Sequence, residues 1–274
     1  MAIGIDLTGR VILVCGAAPG GISGATVRQA AAAGATVFAV DNTQDFIDQT
    51  IADVEGAGGR CQGMVLDLTN PAETDPLIET IVGRLGRLDG VVNVAGGTTA
   101  EEWRPLDQTP TEMFRQTLNL NLEYVFRVCR DAAASMISRE VPGSLVNVGS
   151  VSALTSAPFH GPYGAAKSGI AALTRTMAFE WGRYGIRANT VQPGAVMSQR
   201  VLSRSNTVAA GGRAGGSSDI VVTTMDELAN TIVFLLSDLA SGVSGQTISV
   251  DSALSTKFCG GARPFEINKR NPQV

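Results

Sequence analysis

The chain of 274 residues lacks much of what several classes of protein depend on. It has one histidine and four well-separated cysteines, so a zinc site would have few possible ligands and we expect no metal. No run of lysine or arginine forms a basic stripe, which argues against nucleic acid as a partner. Neither a signal peptide nor an apolar run of the ~20 residues that a membrane helix needs is present. We therefore expect a cytoplasmic protein with reduced thiols and no membrane partner.

Aromatic residues are also scarce, at 5% of the chain, although 44% of it is hydrophobic. The core must therefore be built mainly from valine, isoleucine, leucine and alanine. Such a composition is typical of buried parallel strands covered by Ala-rich helices. The length fits one large α/β domain or two small domains.

Strand-like and helix-like segments alternate along the chain, which predicts an α/β fold: a doubly wound parallel sheet (Rossmann) with helices on both faces, in a single domain over 1–274. The predicted strands are Val11–Cys15, Thr36–Val40, Gly63–Leu66, Gly90–Val94, Ser144–Val148, Arg187–Val191 and Thr247–Val250. The predicted helices are Gly24–Ala33, Thr43–Gly56, Pro71–Leu85, Thr111–Ser138, Pro162–Tyr184 and Asp226–Leu236. The Gly-rich stretch at about 199–223 predicts a mobile substrate loop, and a tail without periodicity follows from about 253.

A glycine-rich turn, Gly16–Gly24, joins the first strand to the first helix. Glycine lets the backbone turn tightly and approach a pyrophosphate, while the helix offers its N-terminal N–H groups to the phosphates. An ordinary Gly-rich turn is the alternative, but the placement between strand and Ala-rich helix favours a dinucleotide site.

Asp41 ends the second strand, about 20 residues beyond the glycines. A carboxylate there can accept hydrogen bonds from both ribose hydroxyls of NAD, and it repels the additional phosphate of NADP. Neither the glycine turn nor the residues just after Asp41 supply an Arg or Lys for that phosphate. This favours NAD, with simple capping of the next helix as the alternative role for Asp41.

Tyr163 and Lys167 are four residues apart near the start of a predicted helix, so their side chains share one face. A neighbouring ammonium favours the phenolate and lowers the pKa of a tyrosine, which suits general acid/base chemistry. Taken alone the pair is a weak signal, since an unremarkable surface helix also produces it.

Further motifs stand in a family order: Asp67-Leu68, Asn93-Val94-Ala95-Gly96, Asn121, Ser150, and Pro193-Gly194-Ala195-Val196-Met197-Ser198. With these, the chain resembles the short-chain dehydrogenase/reductase family over roughly residues 7–252. The resemblance implies hydride transfer between a nicotinamide and a secondary alcohol or ketone, the small-molecule partner of the protein. It also implies a homo-oligomer, with a tetramer favoured, assembled through the helices around Thr111–Ser138 and Pro162–Tyr184.

The resemblance implies a role for each matched residue. Tyr163 is the acid/base, Ser150 binds and positions the substrate oxygen, and Asn121 holds a water that links the site to solvent. Lys167 contacts the nicotinamide ribose and lowers the pKa of Tyr163. The expected cofactor contacts are Gly16, Pro19, Gly20, Gly21, Ile22, Asp41, Asn42, Asp67, Leu68, Asn93, Ala95, Gly96, Tyr163, Lys167, Pro193, Gly194, Val196 and Ser198. The candidate substrate contacts are Ser150, Ser152, His160 and Met197. We interpret Trp103 and Trp181 as packing residues.

The glycine turn departs from the family pattern. Cys15 replaces the usual Thr, the turn carries one extra residue, and Ser23 stands where the last Gly belongs, with Gly24 next to it. The pattern therefore leaves open which of Gly20 and Gly21 contacts the pyrophosphate.

Three other functions stay open beside the NAD-dependent dehydrogenase. An NADPH-dependent ketone reductase is disfavoured by Asp41, and a halohydrin dehalogenase by Lys167 and by the intact strand–Gly–helix unit. A non-catalytic NAD-binding regulatory protein would be expected to have lost Ser150, Tyr163 or Lys167, and all three are present.

Overall fold

The computed structural model describes residues 4–196, 208–209, 213–214 and 222–256. The strands are β1 Val11–Cys15, β2 Thr36–Asp41, β3 Arg60–Val65, β4 Gly90–Asn93, β5 Gly143–Val148, β6 Ile186–Pro193, β7 Val208–Ala209, β8 Arg213–Ala214 and β9 Thr247–Val250. Seven of them are parallel and form one sheet in the order β3-β2-β1-β4-β5-β6-β9, which confirms the predicted doubly wound fold.

Helices cover both faces of the sheet, because successive strand residues point to opposite sides. On β1, Leu13 belongs to the hydrophobic cluster of one face and Val14 to that of the other. The helices are α1 Ile22–Ala32, α2 Gln44–Gly56, α3 Pro71–Thr74, α4 Leu77–Leu85, α5 Thr111–Leu118, α6 Tyr124–Ser138, α7 Gly161–Trp181 and α8 Met225–Leu236. The first cluster includes residues of α4, α6 and α7, and the second includes residues of α1, α2 and α8.

The single helix predicted over Pro71–Leu85 is wrong. The structure divides it into α3 and α4, with Pro76 at the N-terminal cap of α4. Proline has no backbone N–H and its ring collides with the preceding turn, so it ends one helix and starts the next. Pro71 begins α3 as predicted, and Pro76 is the second proline, which separates the two helices.

The long helix predicted over Thr111–Ser138 contains a π-helical turn at Asn119–Glu123, between α5 and α6. Such turns are rare and occur often at functional sites. Hydrophobic periodicity does not distinguish a π-helical turn from an α-helical one, so the sequence does not predict this turn. Asn121, one of the expected catalytic residues, lies inside the turn.

Part of the predicted substrate loop at 199–223 lies outside the described residues. Of that range, β7 and β8 pair antiparallel, and Thr223 forms an isolated bridge with Val196. Most of the tail, from residue 257, also lies outside the described residues. Within the described part of the chain, no helix is both long and apolar enough to cross a membrane.

Three of the four cysteines, Cys15, Cys61 and Cys129, are buried and unpaired, as we expected of reduced thiols. Cys259 lies outside the described residues.

Candidate active site

A cavity of about 240 Å³ opens at the carboxyl end of the sheet. It lies beside β1, whose neighbours β2 and β4 lead the chain in opposite directions across the sheet. Ligands of doubly wound folds bind at such a switch point. The lining residues are Gly16, Ala18, Ser23, Asp41, Asn42, Leu66, Leu68, Val94, Ala95 and Gly96.

Two glycines shape the turn that enters this cavity. Gly16 has a φ of +94°, and a Cβ there would lie 3.1 Å from the Ala95 nitrogen. A Cβ on Gly24 would lie 2.1 Å from the Pro19 carbonyl oxygen, so helix α1 can pack against the turn only with glycine at this position. Gly24 therefore takes the close-packing role that the displaced Ser23 leaves open.

The sequence pattern leaves open whether Gly20 or Gly21 contacts the pyrophosphate, and the structure shows that their positions differ. Gly20 is exposed and has no neighbouring atom within 4 Å of a Cβ built on it. Gly21 is the N-terminal cap residue of α1, and its N–H donates to the Ala18 carbonyl. Ile22 begins the helix, so the free N–H groups of its first turn face the end of the glycine turn.

Asp41 joins β2 to the glycine turn through its carboxylate. Its Oδ2 accepts the Ala17 N–H at 2.7 Å and its Oδ1 accepts the Thr43 N–H at 3.2 Å. Thr43 is itself the cap residue of α2, so Asp41 is not a cap that serves the first turn of that helix. An ionised carboxylate has about four acceptor positions, so further donors can still bind at the cavity.

The remaining cofactor candidates divide into those at the cavity and those away from it. Leu68 lines the cavity, whereas the exposed Asp67 accepts two hydrogen bonds from Thr69. Asn93 is buried, and its Nδ2 donates to the Asn147 Oδ1 at 2.8 Å. Its side chain therefore joins β4 to β5 inside the core, which leaves the backbone of Asn93 as the part that a cofactor could contact.

Lys167 lies on the sheet side of α7 and is only 3% exposed. Its Nζ donates to the Val148 carbonyl at 2.9 Å and lies 5.6 Å from the centroid of the Tyr163 ring. Burial disfavours the ammonium and lowers the pKa of Lys167 to about 8. The spacing of four residues thus places both side chains together, as predicted.

The pKa of Tyr163 is raised above its ordinary value, because burial disfavours the phenolate. The Ser150 hydroxyl opposes this effect through a hydrogen bond to Tyr163. We expected Lys167 to lower the pKa of Tyr163; in the chain alone the net direction is upward, and the opposing influence comes from Ser150. Ser150 follows β5 and also accepts the Ser152 N–H at 3.1 Å.

Asn121 reaches the same region from the π-helical turn. Its Oδ1 accepts the Gly97 N–H at 2.8 Å, and its Nδ2 donates to the Gly97 and Thr117 carbonyls at 3.0 Å each. A Cβ on Gly96 would lie 2.6 Å from the Asn121 Oδ1 and 3.5 Å from the Lys167 Nζ. Glycine at 96 therefore allows the end of β4 to approach both side chains.

His160 stands between Tyr163 and Trp103. The His160 ring is stacked on Trp103 at 4.6 Å between centroids and is tilted towards Tyr163 at 6.0 Å. The Ser152 hydroxyl lies 3.4 Å from the His160 Nε2. Ser152 and His160 are among the candidate substrate contacts predicted from the sequence, whereas Trp103 is predicted to be a packing residue. In the structure, however, Trp103 is 51% exposed. A signal was available, because Trp103 follows β4 in a loop at the carboxyl end of the sheet.

The last candidates follow β6. Pro193 ends that strand, and a Cβ on Gly194 would lie 2.6 Å from the Asp251 Cβ. Met197 and Ser198 lie outside the described residues. Trp181 packs against the first hydrophobic cluster, which confirms its interpretation as a packing residue. Among the described residues, no group of three or more His, Cys, Asp or Glu side chains could hold a metal ion.

Comparisons with known proteins match this geometry. Residues 16–255 match the family model described as enoyl-(acyl carrier protein) reductase. The chain is 36% identical to a (5R,7aS)-5-hydroxy-7a-methyl-1-oxo-2,3,5,6,7,7a-hexahydro-1H-indene-carboxyl-CoA reductase of Mycobacterium tuberculosis, over 89% of this chain and 92% of that protein. It is 34% identical to the 3-oxoacyl-[acyl-carrier-protein] reductase FabG of Thermotoga maritima, over 90% and 98% respectively.

A solved short-chain type dehydrogenase/reductase from Mycobacterium ulcerans superposes with a TM-score of 0.82 at 29% identity, over 92% of each chain. The sequence motifs, the doubly wound sheet and these matches all agree. The chain therefore belongs to the short-chain dehydrogenase/reductase family, oxidoreductases that use a nicotinamide cofactor and act on CH–OH groups.

Proposed function

We propose that the protein is an NAD-dependent dehydrogenase that interconverts a secondary alcohol and a ketone, with Tyr163 as the acid/base. The observation that carries this proposal is the cluster of Ser150, Tyr163 and Lys167 at the carboxyl end of the sheet. Tyr163 and Lys167 lie against each other, and Ser150 is near enough to Tyr163 to oppose the rise in the pKa of its phenol. This cluster lies at the same end of the sheet as the cavity beside β1, the carboxyl end of the strands.

The residues at the cavity fit a dinucleotide. Gly16 keeps the turn free of a Cβ, and the N-terminus of α1 offers N–H groups to the phosphates. Asp41, Asn42, Leu66 and Leu68 line the cavity. The first two would bind the adenosine ribose, and the two leucines would supply apolar contacts for the adenine. The nicotinamide half of the cofactor would be held by Ala95, Gly96, Lys167 and the segment from Pro193 to Val196. When bound, NAD supplies the hydride acceptor.

Tyr163 is the group that moves the proton. In alcohol oxidation its oxygen takes the hydroxyl proton of the substrate, and in ketone reduction it returns that proton to the oxygen. The Ser150 hydroxyl binds the same substrate oxygen and so orients it towards Tyr163. The buried ammonium of Lys167 favours negative charge on Tyr163 while the proton is in transit.

Asn121 is proposed to hold the water that connects this site to solvent. Both N–H groups of its side-chain amide already donate, one to Gly97 and one to Thr117. A water at Asn121 must therefore donate to one of its oxygen atoms. The π-helical turn that contains Asn121 supports this role, since such turns interrupt the regular hydrogen-bond pattern of a helix.

The preference for NAD rests on the charge around Asp41. Asp41 lines the cavity with its carboxylate, and none of the described lining residues is an arginine or a lysine. The guanidinium of Arg28 does bind the Pro19 carbonyl, but Arg28 is not among the residues that line this cavity. The phosphate that distinguishes NADP would thus meet a negative charge without a compensating cation.

The relatives leave the shape of the substrate open. One relative is named for a hydroxylated indene compound, which contains rings, and the other for a 3-oxoacyl group on a carrier protein. Both names describe a compound with an oxygen substituent on carbon, which supports an alcohol or a ketone as the reacting group of the substrate of this protein.

The test is NADH formation from a panel of cyclic and linear secondary alcohols, with NAD and then with NADP. We expect turnover with NAD and at least tenfold less with NADP, a difference of about 1.4 kcal/mol. An enzyme that prefers NADP would overturn the cofactor assignment. Tight NADH binding without turnover of any alcohol or ketone would instead support the non-catalytic regulatory protein.

Two further proposals concern the protein as a whole. We propose a cytoplasmic homotetramer, and three exposed aromatic residues support its assembly through the long helices. Phe114 on α5 and Phe126 on α6 are about two-fifths exposed, and Phe179 on α7 is 90% exposed. Burial of such side chains against another copy is favourable. Light scattering after size exclusion should give the mass of a tetramer, and a monomer would refute the assembly.

A further inference from the structure

Three aromatic rings extend outwards from the catalytic cluster. Tyr163 is followed by His160 at 6.0 Å and then by Trp103, which stacks on His160 at 4.6 Å with 17° between the ring planes. Trp103 is 51% exposed, although a tryptophan that serves only packing is usually buried to a greater extent. The outer ring of this row is therefore available to a molecule that reaches Tyr163.

The polar atoms of both outer rings are already engaged within the protein. The His160 Nδ1 lies 2.9 Å from the Pro158 carbonyl oxygen, so Nδ1 carries the proton and donates there. The Nε2 is then an acceptor, and the Ser152 hydroxyl donates to it at 3.4 Å. The Trp103 Nε1 donates to the Thr98 hydroxyl at 2.9 Å. Trp103 thus presents the apolar area of its indole to a ligand, and not a hydrogen-bond donor.

Three more exposed apolar side chains, Leu106, Leu154 and Phe159, lie on the same two loops as Trp103 and His160, and together with Trp103 we call them the apolar rim. Leu106, Leu154 and Phe159 are 70%, 55% and 57% exposed. The two loops that carry the rim are held together by a hydrogen bond of 2.8 Å from the Arg104 N–H to the Phe159 carbonyl. Leu106 also packs against Gly161 so closely that a Cβ there would lie 2.9 Å from its Cδ1.

We propose that Trp103, held in place by His160, is the specificity-determining residue of the site and selects substrates whose secondary alcohol or ketone belongs to an apolar ring system. The ring packs against the indole while its oxygen lies at Ser150 and Tyr163. A rigid ring loses little conformational freedom on binding, whereas a flexible chain must be ordered along the rim. Aromatic packing is worth about 0.5–1.5 kcal/mol beyond buried area, enough for roughly tenfold selectivity. This inference rests on the proposed dehydrogenase function.

The test compares ring and chain alcohols of equal carbon number, such as cyclohexanol with 2-hexanol and cyclooctanol with 2-octanol. The wild type should have the lower KM for the ring alcohol of each pair. Trp103→Ala should raise the KM for the ring alcohols about tenfold and leave the KM for the linear ones within about twofold. Trp103→Phe, which retains an aromatic face, should keep most of the preference.

A matched control and a binding measurement separate recognition from folding. Leu239 is 46% exposed and follows α8 near Arg10, at the amino end of the sheet, so Leu239→Ala removes exposed apolar area away from the site. It should leave both KM values unchanged. In a Trp181→Phe background Trp103 is the remaining tryptophan of the chain. Its fluorescence should then respond to cyclohexanone and not to 2-hexanone, in the presence of NAD.

The outcomes distinguish this inference from the function on which it rests. An active wild type whose ring preference survives Trp103→Ala would overturn the role of Trp103 alone. An equal loss of kcat for ring and chain alcohols in both Trp103 variants would assign Trp103 a purely structural role and also overturn it. A wild type that oxidises no alcohol and reduces no ketone would instead overturn the proposed function.

Discussion

Tyr163 and Lys167 lie on one face of α7, with the Lys167 Nζ 5.6 Å from the centre of the Tyr163 ring. Burial moves the two pKa values apart, raising that of the phenol above its ordinary 10.0 and lowering that of the ammonium from 10.5 to about 8. Each shift favours the neutral form of its group. The free site therefore holds a proton on Tyr163 at neutral pH, ready for donation to a ketone.

Removing the Tyr163 hydroxyl tests its role directly. Tyr163→Phe keeps the ring and removes the exchangeable proton, so kcat should fall by ~10² or more. Tyr184→Phe is the control, because it deletes the same atom from a partly exposed tyrosine just beyond α7. Steady-state NADH formation measures the effect, and an NADH titration should show unchanged affinity. Near-normal turnover of Tyr163→Phe would remove this residue from the mechanism.

Lys167 should make stability depend on pH. Its pKa is lowered from 10.5 to about 8 in the folded chain, so the unfolded chain binds more protons between these values. Stability conferred by the neutral amine is complete above pH 10.5 and lost as pH falls through about 8.

Urea unfolding of the wild type and of Lys167→Met across pH 7 to 11 measures this effect. The wild type should gain up to about 3 kcal/mol relative to the variant as pH rises. Only the change of the free energy of unfolding with pH is compared, because Lys167→Met also leaves the Val148 carbonyl without its donor and so alters stability at every pH. Parallel profiles would mean that Lys167 keeps its ordinary pKa.

Asp41→Asn should weaken the preference for NAD over NADP. The amide oxygen can still accept the Ala17 N–H, so the glycine turn stays attached to β2 while the negative charge disappears. We expect the ratio of kcat/KM values to move towards NADP by about tenfold. Asp45→Asn removes the same charge from the exposed face of α2 and should leave the ratio unchanged. An equal shift in both variants would indicate a general effect of net charge.

Gly24 should not tolerate a side chain. The Cβ of Gly24→Ala would lie 2.1 Å from the Pro19 carbonyl oxygen, so α1 must move away from the turn, at a cost of about 2 kcal/mol or more. NADH affinity should fall as well, because the first turn of α1 moves with it. Gly83→Ala is the counterpart, in an exposed position of α4 with no atom within 4 Å of the new Cβ. It should raise stability by about 0.5–1 kcal/mol. Denaturant unfolding of both variants decides the matter.

The order of strands and helices could be predicted because hydrophobic periodicity, apolar runs and the Gly or Asp residues at the ends of strands are local properties of the sequence. The boundaries that failed depend on context. Pro76 could have been recognised as a helix break, since proline has the same effect in any helix. The π-helical turn at Asn119–Glu123 could not, because its residues have the same apolar spacing as the α-helical turns on either side.

For the site, residue types predicted which side chains come together but not which way they point. Asn93 fits the family motif and yet directs its amide into the core towards Asn147. Trp103 fits no motif, and its position depends on how the loop after β4 meets the loop after β5. Such contacts between distant segments are set by tertiary packing, which a single sequence does not display.

The hydrogen bonds between Asn121 and Gly97 have a consequence for how variants of this protein should be interpreted. The Asn121 amide binds both the N–H and the carbonyl of Gly97, at the start of the loop that carries Trp103. With the roles proposed for Asn121 and Trp103, proton delivery and the choice of substrate would be mechanically linked through one side chain. A change at Asn121 would register in a screen as altered selectivity as well as slower turnover, and natural variation in substrate range could begin there without any substitution in the pocket wall.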